Sequence, residues 1–156
     1  MGHKEIDVRR VIPAPPAAVF ATLLDRSSWP GWSGHQSFKP VRPGAAGPYD
    51  VGSIGLLRSG RRRVMREEIL EVVPDRRIGY TLLAGLPLRN YRADFDLTPT
   101  HEGTEVRWHS RFDAPPGFGW IYVAALRRFT TRMLEGLSRR VGQAEQQDQR
   151  HPNVPR

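Results

Sequence analysis

The sequence predicts an α+β fold in which a curved antiparallel β-sheet wraps around one long helix near the C-terminus. Three observations lead to this prediction. A long amphipathic helical pattern spans residues 118–141, seven strand patterns precede it, and two short helical segments follow the first strand. Consecutive strands joined by short turns form antiparallel meanders. A meander with one apolar face needs a covering element, and only the long helix is large enough to cover it.

The first strand pattern covers residues 5–12 and ends at the proline-rich segment 13–16. Because proline fits the first turn of a helix, the helical spacing of the apolar residues in segment 17–24 predicts a short helix there. Residues 25–34 contain Trp29 and Trp32. They predict a second short helix or turn that packs over one end of the sheet.

The remaining strands are predicted from alternation between apolar and polar residues. They cover residues 38–41, 51–58, 63–73, 78–84, 91–97 and 104–112. Alternation is clearest in the last two strands, where Tyr91, Phe95 and Trp108 share faces with other apolar residues. Their charged neighbours take the opposite face, so the sheet is predicted to have one apolar side.

The long helix has a matching apolar stripe roughly 100° wide, as expected of a helix with one face on a core. The stripe consists of Phe118, Tyr122, Leu126, Phe129, Met133 and Leu137. At 1.5 Å per residue the helix is about 36 Å long, enough to cross a small sheet. Ala125 and Gly136 lie on the same side, and their small size predicts a close approach by another segment or a ligand.

Length and composition predict one domain, residues 1–141, followed by a disordered polar tail, residues 142–156. The sequence has 156 residues and no cysteine, which excludes disulfides, thiolate metal sites and a cysteine nucleophile. No apolar run approaches the roughly 20 residues of a membrane span, and the charged N-terminus lacks the apolar core of a signal peptide. We therefore expect a cytoplasmic protein.

The net charge is +8 and comes mainly from arginine. Basic proteins bind nucleic acids, membrane surfaces or acidic ligands. The arginines are scattered, however, and the run Arg61–Arg63 follows a Ser-Gly turn signal, so a solvated hairpin tip explains it. Nucleic-acid binding is kept as a minor alternative.

Several short motifs occur in a fixed order between residues 5 and 141. They are Val11-Ile12-Pro13-Ala14-Pro15, Val19-Phe20, Leu24-Asp25, Trp29 to Trp32, Val51-Gly52, Arg66-Glu67-Glu68-Ile69, Pro74-Asp75-Arg76-Arg77-Ile78 with Tyr80, Leu88-Arg89-Asn90-Tyr91-Arg92, and Gly103-Thr104-Glu105-Val106-Arg107-Trp108. Together with the long helix, they resemble the START-like superfamily with its helix-grip fold, and in particular its polyketide cyclase/dehydrase-like branch. The resemblance implies an apolar cavity between sheet and helix. It implies no single activity, since the superfamily includes cyclases, dehydratases, lipid carriers and receptors.

The cavity that the resemblance implies has an aromatic wall with few polar groups, as small-molecule sites usually do. The candidate ligand-binding residues are Arg58, Ile69, Tyr80, Tyr91, Phe95, Trp108, Tyr122, Leu126, Phe129 and Met133. The alternative is that the aromatic residues fill a solid core. The sequence departs from its relatives at Gly55, where they often carry an arginine, and Arg58 is the candidate substitute.

Glu67 is the candidate catalytic residue. Both faces of strand 63–73 carry charge, and the resemblance favours the set Met65, Glu67, Ile69, Glu71 and Val73 as the inward one. Burial raises the pKa of a carboxyl group and suits it to general acid–base catalysis. The alternative is a structural ion pair with Arg58. His35, alone in a loop, is expected to be solvated at the cavity mouth.

The sequence lacks the motifs of metal-dependent, serine-nucleophile and nucleotide-binding enzymes. The five histidines show no metal-ligand spacing, and neither a G-x-S-x-G nucleophile elbow nor a phosphate-binding loop is present. We therefore expect no metal and no cofactor. The sequence predicts a protein that binds a small hydrophobic or aromatic molecule, polyketide-like or lipid-like. It acts either as a cyclase or dehydratase or as a non-catalytic carrier or sensor, and its oligomeric state is open.

Overall fold

The computed structural model describes residues 2–150. Its elements in chain order are β1 (Gly2–Ile12), α1 (Pro16–Leu24), a 3₁₀ helix (Arg26–Gly31), β2 (Ser37–Arg42), β3 (Ile54–Ser59), β4 (Arg63–Val73), β5 (Arg77–Ala84), β6 (Arg89–Thr100), β7 (Gly103–Ala114) and α2 (Gly119–Arg150). The predicted α+β class, the two short helices after the first strand and the long C-terminal helix are all confirmed.

The strands form one seven-stranded antiparallel sheet in the order β1-β7-β6-β5-β4-β3-β2. Strands β2 to β7 are a continuous meander, and β1 pairs with β7 along its whole length. In this register Phe95 lies opposite Trp108 and Tyr80 lies opposite Ala93. The aromatic residues of three neighbouring strands therefore share the inner face of the sheet.

The core lies between this inner face, the two short helices and the middle of α2. Its largest fully buried side chains include Ile12, Leu23, Leu57, Phe95 and Leu137. Each such side chain contributes roughly 1.5–3 kcal/mol by leaving water. On the long helix, the core is therefore concentrated at residues 130–141, the middle of the helix.

The tryptophan-rich segment covers one end of the sheet, as predicted. Trp29 is 3% exposed, and its indole N–H donates to the carbonyl oxygen of Leu23 at 3.0 Å. Its ring meets Phe95 edge-to-face at 6.2 Å between centroids. Because a buried indole N–H needs an acceptor, this bond fixes the 3₁₀ helix against the end of α1.

Strand β4 changes faces along its length. Met65, Glu67 and Ile69 are buried, as predicted. The pairing register with β5 shifts between Ile69 and Glu71, and an extra residue of this kind reverses the alternation beyond it. Glu71 consequently lies on the outer face, where it accepts a bond from Arg92 at 2.6 Å. The expectation that Glu71 and Val73 point inward is wrong for this reason.

Helix α2 continues to Arg150, through residues 142–150 that composition assigned to a disordered tail. Four of its nine residues are glutamine, and one each is alanine, glutamate and arginine, all of them good helix formers. Extending an existing helix costs little compared with starting one. Residues 151–156 lie outside the described residues. Among residues 2–150, no helix has both the length and the apolar character that crossing a membrane requires.

The two halves of α2 differ in burial. Thr130, Met133, Leu134, Leu137 and Val141 are buried, whereas residues 120–129 are half-buried or exposed. Phe118, expected on the inner stripe, precedes the helix and is 57% exposed. The middle of α2, residues 130–141, is therefore the part that is packed on the main core.

Gly136 sets the distance between α2 and the tryptophan-rich segment, in line with the predicted close approach. A Cβ atom at this position would lie 2.0 Å from the backbone carbonyl oxygen of Trp32. At Gly142, on the same helix, a Cβ atom would meet no atom within 4 Å. The two glycines therefore form a matched pair for testing this contact.

We expect Gly136→Ala to destabilise the protein by about 1–3 kcal/mol, because the added methyl group forces the helix away from a rigid backbone oxygen. Gly142→Ala is expected to stabilise it by about 0.5–1 kcal/mol, since alanine is the better helix former. Urea denaturation of both variants measures the two effects. Equal effects of the same sign would show that the contact with Trp32 does not constrain the helix.

Candidate functional site

Two adjoining cavities lie between the sheet and α2. The inner cavity has a volume of about 30 Å³ and is lined by Trp29, His35, Met65, Glu67, Tyr80, Leu82, Leu86, Tyr91, Trp108, Leu126, Phe129, Thr130 and Met133. The outer groove has a volume of about 380 Å³ and is lined by Ser59, Arg63, Met65, Leu86, Phe118, Ile121, Tyr122, Ala125, Leu126 and Phe129. Met65, Leu86, Leu126 and Phe129 belong to both walls, so these four side chains separate the two spaces.

The two spaces differ in size and chemistry. The inner cavity holds one or two waters at most, since about 10–15 Å³ of such volume accommodates one. Its wall is mainly apolar, but it includes the polar side chains of His35, Glu67, Tyr80, Tyr91 and Thr130. The groove is within the range of small-molecule sites, about 300–1,000 Å³, and its wall is mainly apolar. A ligand that occupies both spaces therefore keeps its bulk in the groove and only a small end in the inner cavity.

The structure brings most of the sequence-predicted site residues together. Glu67, Tyr80, Tyr91, Trp108, Leu126, Phe129 and Met133 line the inner cavity. Tyr122 lines the groove. Ile69 and Phe95 are 2% and 1% exposed and pack in the core cluster, away from both cavity walls. The roles of these residues in ligand binding and catalysis stay predictions.

Arg58 does not supply the expected inward cation. Its side chain is exposed, because strand alternation turns it outward when its neighbour Leu57 is buried. The cation comes instead from Arg26 in the 3₁₀ helix, whose Nη2 donates to Glu67 Oε2. The side chains of Arg26 and Glu67 are only 3% and 7% exposed. The predicted ion pair of Glu67 therefore exists, but with a partner that the sequence did not indicate.

Aromatic rings hold the Arg26 guanidinium in place. Its central carbon lies 4.7 Å from the ring centre of Trp29 and 5.6 Å from that of Phe38. A Cβ atom at Gly55 would lie 2.3 Å from the Phe38 ring. Glycine at position 55 thus leaves room for Phe38 beside Arg26. The sequence signal that was available for Arg26 is its position between two apolar segments.

Burial shifts the pKa values of the acidic groups that line the inner cavity. It raises the pKa of Glu67, and the adjacent Arg26 guanidinium opposes that rise. It also raises the pKa of Tyr91 to about 12 and that of Tyr80 well above its ordinary value. Both phenols are therefore neutral at physiological pH, and each carries an O–H group that can donate or accept a hydrogen bond.

His35 is a second residue that sequence reasoning missed. It was expected to be solvated, but it is 4% exposed and lines the inner cavity. Its ring meets Phe129 edge-to-face at 5.3 Å, and its Nδ1 lies 2.6 Å from Ser33 Oγ. Burial, with the Arg26 charge nearby, lowers the pKa of His35 to about 4. The imidazole is therefore neutral at pH 7.

A curved sheet that grips a C-terminal helix, with a cavity between the two, defines the helix-grip fold of the START-like superfamily. Residues 3–142 match the family described as polyketide cyclase/dehydrase and lipid transport. Because this match covers most of the chain, the protein belongs to that family. Among curated proteins, none matches the sequence significantly. Family and fold together indicate a domain that binds hydrophobic ligands.

Solved structures share this fold. The solution NMR structure of a Thermobifida fusca protein has a TM-score of 0.74 and 22% identity, over 92% of this chain and 95% of that one. XoxI from Bacillus cereus has a TM-score of 0.71 and 18% identity, over 93% and 99%. Ara h 8.0201 has a TM-score of 0.71 and 16% identity, over 90% and 98%. At these identities the similarity shows the fold alone.

Proposed function

We propose that this protein binds a small, largely apolar or aromatic molecule, polyketide-like or lipid-like, in the outer groove. One end of the ligand is directed at the inner cavity. The observation that carries the proposal is the juxtaposition of a groove of about 380 Å³ with a small cavity that contains a few polar groups and shares four of the groove's wall residues. An apolar wall with a few buried polar groups is the usual composition of a ligand site.

The packing of α2 supports ligand entry beneath its first half. Tyr122, Leu126 and Phe129 are only half-buried, so these groove-lining side chains can change rotamer at low cost. The residues that fix the helix, such as Met133 and Leu137, lie further along the chain. Covering the apolar groove with a ligand removes exposed apolar surface from water, which stabilises the complex by about 25 cal/mol per Å².

Ala125 and Ala124 provide a matched test of this site. Both are exposed residues of α2, but Ala125 lines the groove and Ala124 does not. We expect the wild-type protein to bind the neutral fluorescent probe N-phenyl-1-naphthylamine. Ala125→Trp is expected to weaken binding about tenfold or more, a loss of at least about 1.4 kcal/mol, by filling the groove. Fluorescence titration measures both affinities.

Ala124→Trp adds the same side chain to the outer side of the helix and is expected to leave the affinity unchanged. Thermal denaturation of each variant without the probe controls for folding. A wild-type protein that binds neither this probe nor a broader panel of apolar compounds would contradict the proposal. Equal losses in the two variants would place the probe outside the groove.

An enzyme is the second candidate, because Glu67 lines the inner cavity and has a raised pKa. In a cyclisation or dehydration of a poly-β-keto chain, confinement of the chain supplies much of the acceleration, and the Glu67 carboxyl moves the proton. If the protein is an enzyme, Glu67→Gln is expected to abolish turnover and to leave the ligand affinity unchanged. Stoichiometric binding of an unchanged ligand supports the carrier.

The ion pairs on the outer face of the sheet lend little support to nucleic-acid binding. Arg77 and Arg107 donate to Asp96 and Asp7 at 2.6 and 2.8 Å, and Arg92 is bonded to Glu71 and Asp94. The positive charge of these three arginines is thus neutralised locally. Phosphate binding relies on unpaired basic groups, so we favour a small-molecule ligand.

A further inference from the structure

The hydrogen bonds around Ser33 determine which ring nitrogen of His35 carries the proton. Ser33 is 5% exposed, and its Oγ accepts the backbone N–H of His35 at 3.2 Å. Within residues 2–150, the acceptor available to the Ser33 hydroxyl proton is His35 Nδ1, at 2.6 Å. A buried hydroxyl donor left without an acceptor is costly, so Ser33 donates to Nδ1. A neutral imidazole has one ring proton, and that proton is therefore on Nε2.

The Nε2–H group is an unused donor on a ring that lines the inner cavity. Within the described part of the chain, His35 Nε2 is buried and has no hydrogen-bond partner. The ring lines the inner cavity, and its Nδ1 edge is occupied by Ser33. Phe129 touches the ring and also lines the groove. His35 Nε2–H thus lies one side chain away from the groove.

The other polar groups of the cavity differ from His35. Glu67 is engaged by Arg26, and the Tyr80, Tyr91 and Thr130 hydroxyl groups can either donate or accept. His35 Nε2–H can only donate. A ligand atom that satisfies it must be an acceptor, and the cavity has room for little more than one oxygen atom.

We propose that His35 is a specificity-determining residue that donates a hydrogen bond from Nε2 to an acceptor oxygen at one end of an otherwise apolar, aromatic ligand. A ring ketone is the simplest member of this class. The proposal rests on the proposed binding function and refines it. The aromatic body of the ligand lies in the groove, and its oxygen passes Phe129 into the inner cavity.

A pair of planar probes of the same shape tests the proposal. Fluorene and 9-fluorenone differ in one group, a methylene in the first and a carbonyl in the second. We expect the wild-type protein to bind 9-fluorenone about tenfold more tightly than fluorene. The ketone accepts a hydrogen bond from His35, whereas the hydrocarbon leaves that donor unpaired. Competition with N-phenyl-1-naphthylamine gives both affinities.

Two variants assign the preference to His35. His35→Phe keeps an aromatic ring but has no donor, and it is expected to bind the two probes with equal affinity. His35→Gln retains an N–H donor and is expected to keep part of the preference. Long-range ¹H–¹⁵N NMR spectra of the wild type give an independent readout, because we expect an Nε2-protonated ring whose Nε2–H resonance shifts when 9-fluorenone binds.

The outcomes separate this proposal from the binding function. If the wild type binds both probes equally, or if the spectra show an Nδ1-protonated ring, the role of His35 is overturned while the groove remains a binding site. If the preference for 9-fluorenone persists in His35→Phe, another group donates the hydrogen bond to the ligand oxygen and the proposal fails. If neither probe binds and the wider apolar panel also fails, the proposed function itself is wrong.

Discussion

Replacing Arg26 with methionine is expected to destabilise the protein by about 3–5 kcal/mol, because it leaves the buried Glu67 carboxylate without its counter-charge. Both side chains are less than a tenth exposed, so water cannot replace the guanidinium. The loss is expected to be smaller at pH 4 than at pH 7, since burial raises the pKa of Glu67 and the protonated acid has no charge to desolvate. Urea denaturation at the two pH values measures both effects.

Two comparisons identify the cause of that loss. Arg107→Met removes the partner of Asp7 in an exposed pair and is expected to cost less than about 1 kcal/mol. The double variant Arg26→Met/Glu67→Met replaces the buried pair by apolar groups and is expected to recover most of the stability. A double variant as unstable as Arg26→Met would show that the packing of Arg26 on Trp29, rather than its charge, stabilises the fold.

The second large effect is a pH dependence of stability that comes from His35. Its pKa falls from an ordinary 6.5 to about 4 on folding. Between these values the unfolded chain binds a proton that the folded chain does not, so stability falls as the pH decreases through this window. At 1.36 kcal/mol per pKa unit, the full loss is about 3 kcal/mol. Above pH 6.5 this contribution is constant.

The measurement is the free energy of unfolding at pH 4.5, 5.5 and 6.5 for the wild type and His35→Gln. We expect the wild type to lose stability relative to the variant as the pH falls. Glu67 acts in the opposite direction, because its raised pKa makes the folded state gain stability on acidification, but it is present in both proteins and cancels. His101→Gln, at an exposed turn position, controls for the loss of one histidine. Parallel pH profiles for the wild type and His35→Gln would show that His35 is protonated equally in both states.

The sequence predicted the parts of the fold and site that depend on periodicity. Alternation placed Tyr91 and Trp108 on the inner face, and helical spacing placed Met133 and Leu137 on the buried stripe. Glu67 needed the family resemblance, because both faces of its strand carry charge. Residues on a regular strand or helix are therefore well described by local pattern, apart from irregularities such as the register shift after Ile69.

Arg26 and His35 could not be predicted in the same way. Both lie in the irregular segment around the 3₁₀ helix, where no period relates neighbouring residues to a common face. Arg26 meets its carboxylate partner 41 positions away, a contact that depends on how the segment folds over the sheet. Arg58 was the candidate substitute for the arginine missing at position 55, yet strand geometry turns it outward. The polar half of the site is thus fixed by tertiary packing.

The unequal burial of α2 has a mechanical consequence. Met133, Gly136 and Leu137 are buried and hold the middle of the helix on the main core. The start of the helix is less tightly held: Gly119 rests on the flexible Lys4 side chain, and Tyr122, Val123 and Leu126 are half-buried against the small cluster of Ile6, Phe112 and Ala114. Over the eleven residues from Thr130 back to Gly119, a tilt of about 10° displaces the start of the helix by about 3 Å. We therefore expect the strength of this contact with the small cluster, rather than the resting volume of the groove, to limit how large a ligand the groove accepts.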